Sequence, residues 1–102
     1  SIFNPGWTNY LERYFYIKPN GNCTYEGEFH YVDDDIIGGD ENKIEFGCHT
    51  GVGNWDDTGG IIYSDVNKLH LNVTDKEYYV SGIQLDRGLF LNLKVFLQGA
   101  YR

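Results

Sequence analysis

A chain of 102 residues has room for one domain and little room for a deep active site, because a domain of this size buries only about two thirds of its unfolded surface. Fifteen acidic residues against eight basic ones give a net charge of −7, which disfavours nucleic acids and anionic lipids as partners, since both present phosphates that a protein must neutralise. The sequence has no apolar run long enough for membrane insertion and no signal stretch before its first residues, so we expect a soluble chain that is a mature or excised piece.

Hydrophobicity alternates with a period of two along most of the chain, which is typical of strands with one buried and one exposed face. The predicted strands are, in chain order, RYFYIKP (13–19), CTYEGEFHYV (23–32), KIEFGCH (43–49), IIYSDV (61–66), KLHLNVTD (68–75), EYYVSGIQL (77–85) and GLFLNLKVFLQGAY (88–101). Turns rich in Gly, Asn and Asp separate them, and no segment has a helical period. We therefore predict an all-β fold with little or no helix, an antiparallel β-sandwich of jelly-roll or Ig-like type.

We expect residues 1–102 to form a single module. The last predicted strand is unusual, because it is apolar on both faces. Such a strand is normally central or covered, because an exposed edge of this kind pairs with other chains. The pattern predicts either strand-mediated self-association or that residues 89–102 form the first strand of a following module.

The stretch YVDDDIIGGDENKIEFG (31–47) concentrates carboxylates around a predicted turn. They are Asp33, Asp34, Asp35, Asp40 and Glu41. Calcium takes several oxygen ligands, so a calcium loop is one hypothesis for this stretch. EF-hand spacing fails, because Ile37 and Ile44 stand where carboxylates are needed. Strand alternation also points Asp34 away from its two neighbours unless a bulge or turn intervenes. The alternative is a solvated turn that binds no cofactor.

Two further groups of side chains are candidates for metal binding or catalysis. His30, His49 and His70 lie on the polar sides of three predicted strands, and would bind zinc or copper only if those strands were adjacent and in register. Glu26 and Glu28 are about 6.6 Å apart by strand rise, within the range of glycosidase carboxyl pairs. An exposed sheet face supplies no cleft and no raised pKa, so we expect no enzyme activity.

Aromatic side chains at predicted loop positions suggest a ligand-binding surface. The candidates are Trp55, Trp7, Tyr10 and Tyr79, together with Tyr101. Flat rings that face water stack on sugar rings, and neighbouring acidic groups accept hydrogen bonds from hydroxyls. The alternative is that most tyrosines pack in the core with their hydroxyls at its rim. An exposed Trp55 beside a groove would favour carbohydrate binding, whereas Trp55 packed under its own loop would favour a structural or adhesive role.

The two cysteines, Cys23 and Cys48, both fall on apolar faces of predicted strands and have no Cys-x-x-Cys spacing. In an oxidising setting they would form a disulfide if their strands pair. Two buried thiols acting as small hydrophobic side chains explain the pattern equally well.

Two groups of residues within positions 10–56 form a recognisable pattern: Arg13, Tyr14, Phe15, Ile17 and Pro19, then Phe29, Tyr31, Asp33, Gly39, Glu41, Asn42 and Ile44. On these residues the segment resembles a module of very large exported proteins of Bacteroidetes. In addition, LKVFLQGAY (93–101) resembles the strand that opens a following module. The chain departs from the pattern by its adjacent Asp34 and Asp35 and by its two cysteines.

The resemblance implies a non-catalytic extracellular or surface-attached β-sandwich module for spacing, adhesion or glycan contact. It also implies that Asp33 accepts backbone N–H bonds in the turn and that Glu41 pairs with Arg13. We therefore predict structural or adhesive display within a larger surface or secreted protein, with a glycan or protein partner at the cell surface. The alternative is a carbohydrate-binding module that uses exposed aromatic rings, with or without a structural calcium ion.

Overall fold

The computed structural model describes residues 2–84, whose regular structure consists mainly of antiparallel strands. The strands are β1 (Tyr10–Leu11), β2 (Tyr14–Ile17), β3 (Tyr25–His30), β4 (Ile36–Ile37), β5 (Ile44–His49), β6 (Gly60–Tyr63), β7 (Lys68–Thr74) and β8 (Tyr78–Gln84). Three single-turn 3-10 helices lie at Asp33–Asp35, Glu41–Lys43 and Ser64–Val66, and this part of the chain contains no longer helix. The predicted all-β class is confirmed, while the jelly-roll or Ig-like sandwich stays a prediction.

The strands form two three-stranded sheets and one short ribbon. The first sheet has the order β2–β8–β5, the second has the order β3–β7–β6, and β1 pairs with β4 in the ribbon. In the first sheet, Tyr79 lies between Tyr16 on one side and His49 on the other. Directly opposed residues point to the same face of a sheet, so these three side chains share one face.

The other face of the first sheet and one face of the second sheet contribute to a common core. Its buried members are Leu11, Tyr31, Ile44, Phe46, Cys48, Leu69, Leu71 and Val80. Phe15 of β2 and Phe29 of β3 meet with their ring centroids 5.2 Å apart. Gly60 of β6 lies so near Phe46 of β5 that a Cβ atom there would stand 2.7 Å from the ring. The two sheets therefore pack closely where these residues meet.

Six of the predicted strands correspond to β2, β3, β5, β6, β7 and β8. The sequence did not indicate β1 or β4, because two residues are too few to show a period. The seventh predicted strand, and with it the proposed start of a following module at residues 89–102, lies outside the described residues. No helix in the described part of the chain is long and apolar enough to cross a membrane.

The two cysteines are free and lie in different environments. Cys48 faces the core, and its burial, with a smaller effect of Asp56, raises the pKa of its thiol to about 11. Cys23 precedes β3 and is exposed, with its Sγ 3.7 Å from the carbonyl oxygen of Asn20. The expectation of an apolar environment is correct for Cys48 and wrong for Cys23, where the strand has not yet begun. The disulfide considered from the sequence is therefore not formed.

Candidate binding surface

An array of rings, here called the aromatic face, lies on the outer side of the first sheet. Its members are Phe3, Trp7, Tyr10, Tyr14, Tyr16, His49, Trp55 and Tyr79. Strands β2, β5 and β8 supply side chains that alternate with core residues, and the rest come from β1, from the N-terminal segment and from the β5–β6 loop. Neighbouring centroids are between 4.9 and 6.1 Å apart, the separation at which aromatic pairs attract. The rings therefore hold one another in place.

Trp55 ties the β5–β6 loop to the N-terminal segment. Its ring is nearly parallel to that of Phe3, with the planes at 3° and the centroids 6.0 Å apart. Its Nε1 donates a hydrogen bond to the carbonyl oxygen of Ile2 at 3.2 Å, and the His49 ring lies 5.1 Å away. Trp55 is only partly buried by these contacts. It is therefore both a packing residue and a partly accessible ring.

A surface depression of about 340 Å³ opens beside Trp55, between the N-terminal segment and the β5–β6 loop. Trp7 and Trp55 line it with their centroids 6.0 Å apart, and Asn4, His49 and Asn54 also contribute to its lining. The depression is a groove of the kind considered from the sequence, whereas Trp55 beside it is partly buried against Phe3 and Ile2 rather than fully exposed.

His49 shapes the depression with both of its ring nitrogens. Nδ1 accepts a hydrogen bond from the backbone N–H of Gly51 at 2.8 Å, and Nε2 lies 2.9 Å from the carbonyl oxygen of Gly53. Because Nδ1 accepts, Nε2 carries the hydrogen and donates it. Both nitrogens are engaged with the loop, so His49 contributes rigidity to the depression while the asparagine amides offer polar groups for a ligand.

The second part of the aromatic face is a tyrosine row, formed by Tyr14 and Tyr16 of β2 and Tyr79 of β8. Tyr14 and Tyr16 are 49% and 50% exposed. The Tyr79 ring lies 5.3 Å from Tyr14 and 4.9 Å from Tyr16, centroid to centroid. The Tyr16 hydroxyl donates a 2.6 Å hydrogen bond to Glu77, and this bond is the main reason that the pKa of Tyr16 rises to about 12. The row therefore presents a protonated, hydrogen-bonded Tyr16 at neutral pH.

The most buried carboxylate of the acidic turn is Asp35, which joins the turn to the residues before β2. Its Oδ2 accepts hydrogen bonds from Nε of Arg13 at 2.6 Å and from the backbone N–H of Val32 at 3.0 Å. Burial by itself raises the pKa of Asp35, but the hydrogen bonds and the positive charge of Arg13 outweigh it and lower the pKa. Asp35 is therefore charged and structurally engaged at neutral pH.

Three other carboxylates of the turn also have protein partners. Asp33 accepts a hydrogen bond from the Asn67 side chain at 2.8 Å, and Asp40 accepts one from the backbone N–H of Asn42 at 3.1 Å. Glu41 accepts a 2.9 Å hydrogen bond from the hydroxyl of Tyr31, whereas Asp34 is exposed. Within residues 2–84, no group of three or more His, Cys, Asp or Glu side chains is arranged to hold a metal ion.

Both contacts implied by the resemblance, Glu41 with Arg13 and backbone N–H groups with Asp33, are therefore wrong. Arg13 pairs with Asp35 rather than with Glu41, and the backbone N–H groups of the turn donate to Asp35 and Asp40 rather than to Asp33. The cause is the 3-10 turn at Asp33–Asp35, after which the Asp35 carbonyl accepts a 2.7 Å bond from the backbone N–H of Glu12. That bond places Asp35 beside Arg13.

The three histidines do not meet. His30 and His70 belong to the second sheet, whereas His49 belongs to the first, so the zinc or copper hypothesis is wrong. His70 instead lies beside the exposed pair Glu26 and Glu28, with Nε2 2.9 Å from Glu26 and Nδ1 4.0 Å from Glu28. Both glutamate side chains are 55% exposed and lie on the outer face of the second sheet.

The structure brings together all four described aromatic residues that the sequence suggested: Trp7, Tyr10, Trp55 and Tyr79. Sequence reasoning missed Phe3, Tyr14 and Tyr16. The signal for the two tyrosines was present, because Tyr14 and Tyr16 alternate with Phe15 and Ile17 in RYFYIKP. Tyr101 lies outside the described residues.

No family model matches this chain, and comparisons with curated proteins and with solved structures found no match. The resemblance to modules of exported proteins of Bacteroidetes therefore stays a prediction.

Proposed function

We propose that this chain is a non-catalytic β module with a structural or adhesive role in a larger extracellular or cell-surface protein, and that the aromatic face is its contact surface. The observation that carries the proposal is the half-exposure of Tyr14 and Tyr16 within a continuous array of rings. Tyr and Trp are enriched where proteins bind partners, because each offers a large contact area with few rotatable bonds.

The fixed positions of the rings in the aromatic face also support a contact role. The rings of the tyrosine row stand on two hydrogen-bonded strands, and the rings beside it contact one another, so binding would order few additional side chains. The net charge of −7 favours an uncharged or cationic partner over an anionic one. The extracellular location rests on the resemblance of residues 10–56.

Retention on coated surfaces tests this proposal. Fluorescently labelled chain is applied to wells coated with mucin, collagen or cellulose, and the double variant Tyr14→Ser/Tyr16→Ser is compared with wild type. The matched control is Tyr63→Ser, because Tyr63 is 41% exposed on the second sheet. We expect wild type and control to be retained on at least one coating and the double variant to be lost. Equal retention of all three, or retention of none, would overturn the proposal.

A second candidate function is carbohydrate binding, with or without a structural calcium ion in the acidic turn. The observation that favours it is the depression lined by Trp7, Trp55 and the amides of Asn4 and Asn54. An apolar hollow with a few polar groups is typical of small-ligand sites.

A further inference from the structure

We propose that the aromatic face binds one extended chain of uncharged sugars, with the Trp7–Trp55 depression at one end of the site and the tyrosine row along the rest. This inference rests on the proposed function, because it uses the same contact surface and names its ligand class.

The length of the site follows from the continuity of the rings. Phe3 connects its two parts, since its centroid lies 6.0 Å from Trp55 and 5.9 Å from Tyr14. From Tyr14 the array continues to Tyr79 and Tyr16. A sugar ring stacks its apolar face on one aromatic ring, so a single sugar would leave most of this array uncovered. The arrangement therefore suits several sugars in a row.

The polar groups at the depression suit hydroxyl groups. Asn4 and Asn54 line it, and a side-chain amide both donates and accepts hydrogen bonds, as a sugar hydroxyl does. Asn4 already uses Oδ1 to accept a bond from the backbone N–H of Gly6 at 2.8 Å, which fixes its position. A preformed amide of this kind loses little freedom when a ligand binds.

The charges around the site exclude acidic sugars. Within residues 2–84, no Lys or Arg lines the depression, so a carboxylate or sulfate group on a sugar would lose its hydration there without gaining a cationic partner from this part of the chain. Glu77 lies at the far end, bonded to Tyr16, and would repel such a group. The site therefore suits neutral sugars.

Binding of defined oligosaccharides tests the inference. Calorimetry and tryptophan fluorescence are measured with β-1,4-linked oligomers of glucose, xylose and mannose, from one to six units, and with a galacturonic acid hexamer. We expect at least one neutral series to bind with an affinity that rises about tenfold or more from the dimer to the hexamer. The acidic hexamer should not bind.

Two variants assign the two parts of the site. Tyr16→Ala should weaken the hexamer and leave the dimer unchanged, whereas Trp55→Ala should weaken both, and Tyr63→Ala should weaken neither. Trp55 also holds the N-terminal segment, so Trp55→Ala could weaken binding by disturbing the fold. The Tyr16 ring is half exposed, so Tyr16→Ala is the decisive variant.

The two proposals fail in different ways. If no neutral oligomer binds, or if affinity does not depend on length, the inference is overturned. If the chain is nevertheless retained on collagen and the double variant is not, the contact function stands with a protein partner. If retention is also absent, both proposals are wrong.

Discussion

Replacing Asp35 with alanine should destabilise the fold by more than the loss of any other carboxylate in the acidic turn. Its side chain is 11% exposed and accepts hydrogen bonds from both Arg13 and the backbone N–H of Val32. The change removes two hydrogen bonds to a charged group, each worth about 1.5–3 kcal/mol. Nearly half of the Arg13 side chain is exposed, so solvent screens that contact and reduces its contribution. We expect a loss of about 2–3 kcal/mol and a fall in Tm of about 10–20 °C.

Urea unfolding at pH 7, followed by tryptophan fluorescence, measures this loss, with Asp34→Ala as the exposed neighbouring control. The control should change the free energy of unfolding by less than about 0.5 kcal/mol.

The contribution of Asp35 to stability should also depend on pH. The pKa of Asp35 is lowered in the fold, so this contribution is present above the unfolded pKa of about 3.9 and is lost as pH falls through the folded value. The difference between wild type and Asp35→Ala should therefore shrink below about pH 4. The assigned role of Asp35 would be refuted if wild type and Asp35→Ala were equally stable, or if the difference between them did not change with pH.

Three further predictions concern the thiols, the phenols and calcium. In the native protein Cys23 should react with a thiol reagent while Cys48 stays protected, and rapid reaction of both thiols would contradict this. Cys48→Ser should lower the free energy of unfolding by about 1–3 kcal/mol, and Cys23→Ser by less than about 0.5 kcal/mol. The pKa of Tyr16 and that of Tyr31 are raised, so their contribution to stability is present below the unfolded pKa of about 10 and is lost as pH rises through the folded values. The free energy of unfolding should accordingly fall above pH 10, by less in Tyr31→Phe. An identical fall in that variant would argue against the raised pKa of Tyr31, which results first from burial and then from the bond to Glu41. Thermal unfolding in EDTA and in millimolar calcium should give the same Tm, since four carboxylates of the turn already have protein partners, those of Asp33, Asp35, Asp40 and Glu41. A rise in Tm of roughly ten degrees in calcium would instead identify a calcium site.

The sequence predicts strand positions well wherever alternate side chains enter the core. In KIEFGCH the inward residues Ile44, Phe46 and Cys48 are all buried, and in KLHLNVTD so are Leu69 and Leu71. A period of two follows directly from strand geometry, so these segments need no information about their neighbours. Sheet order is different, because alternation within a strand does not specify its partner.

His49 and Asp35 show why the remaining details were not predictable. His49 lies on the outer side of β5, as alternation indicates, but the loop containing Trp55 covers it and leaves it 7% exposed. Asp35 continues a strand pattern in the sequence, but a 3-10 turn directs it to Arg13. Both outcomes depend on contacts with residues elsewhere in the chain. Local periodicity carries no information about such contacts.

The aromatic face was predictable in part. Residue type and loop position were enough to single out Trp7 and Trp55, but their convergence depends on how the N-terminal segment crosses the β5–β6 loop. Tyr14 and Tyr16 were accessible to the same reasoning that identified β2, because their neighbours Phe15 and Ile17 face inward. Exposed tyrosines on a predicted strand should therefore be weighed as surface candidates.

Footprinting of the bound chain tests the contact surface most directly. The chain is oxidised by hydroxyl radicals in solution and again while retained on a coated well, and labelling of each tyrosine is measured by mass spectrometry. Tyr63 serves as the internal control, since its exposure is close to that of Tyr14 and Tyr16. We expect retention to protect Tyr14 and Tyr16 and to leave Tyr63 as reactive as in solution. Protection of Tyr63 alone, or unchanged labelling of Tyr14 and Tyr16, would contradict the assignment of the aromatic face as the contact surface.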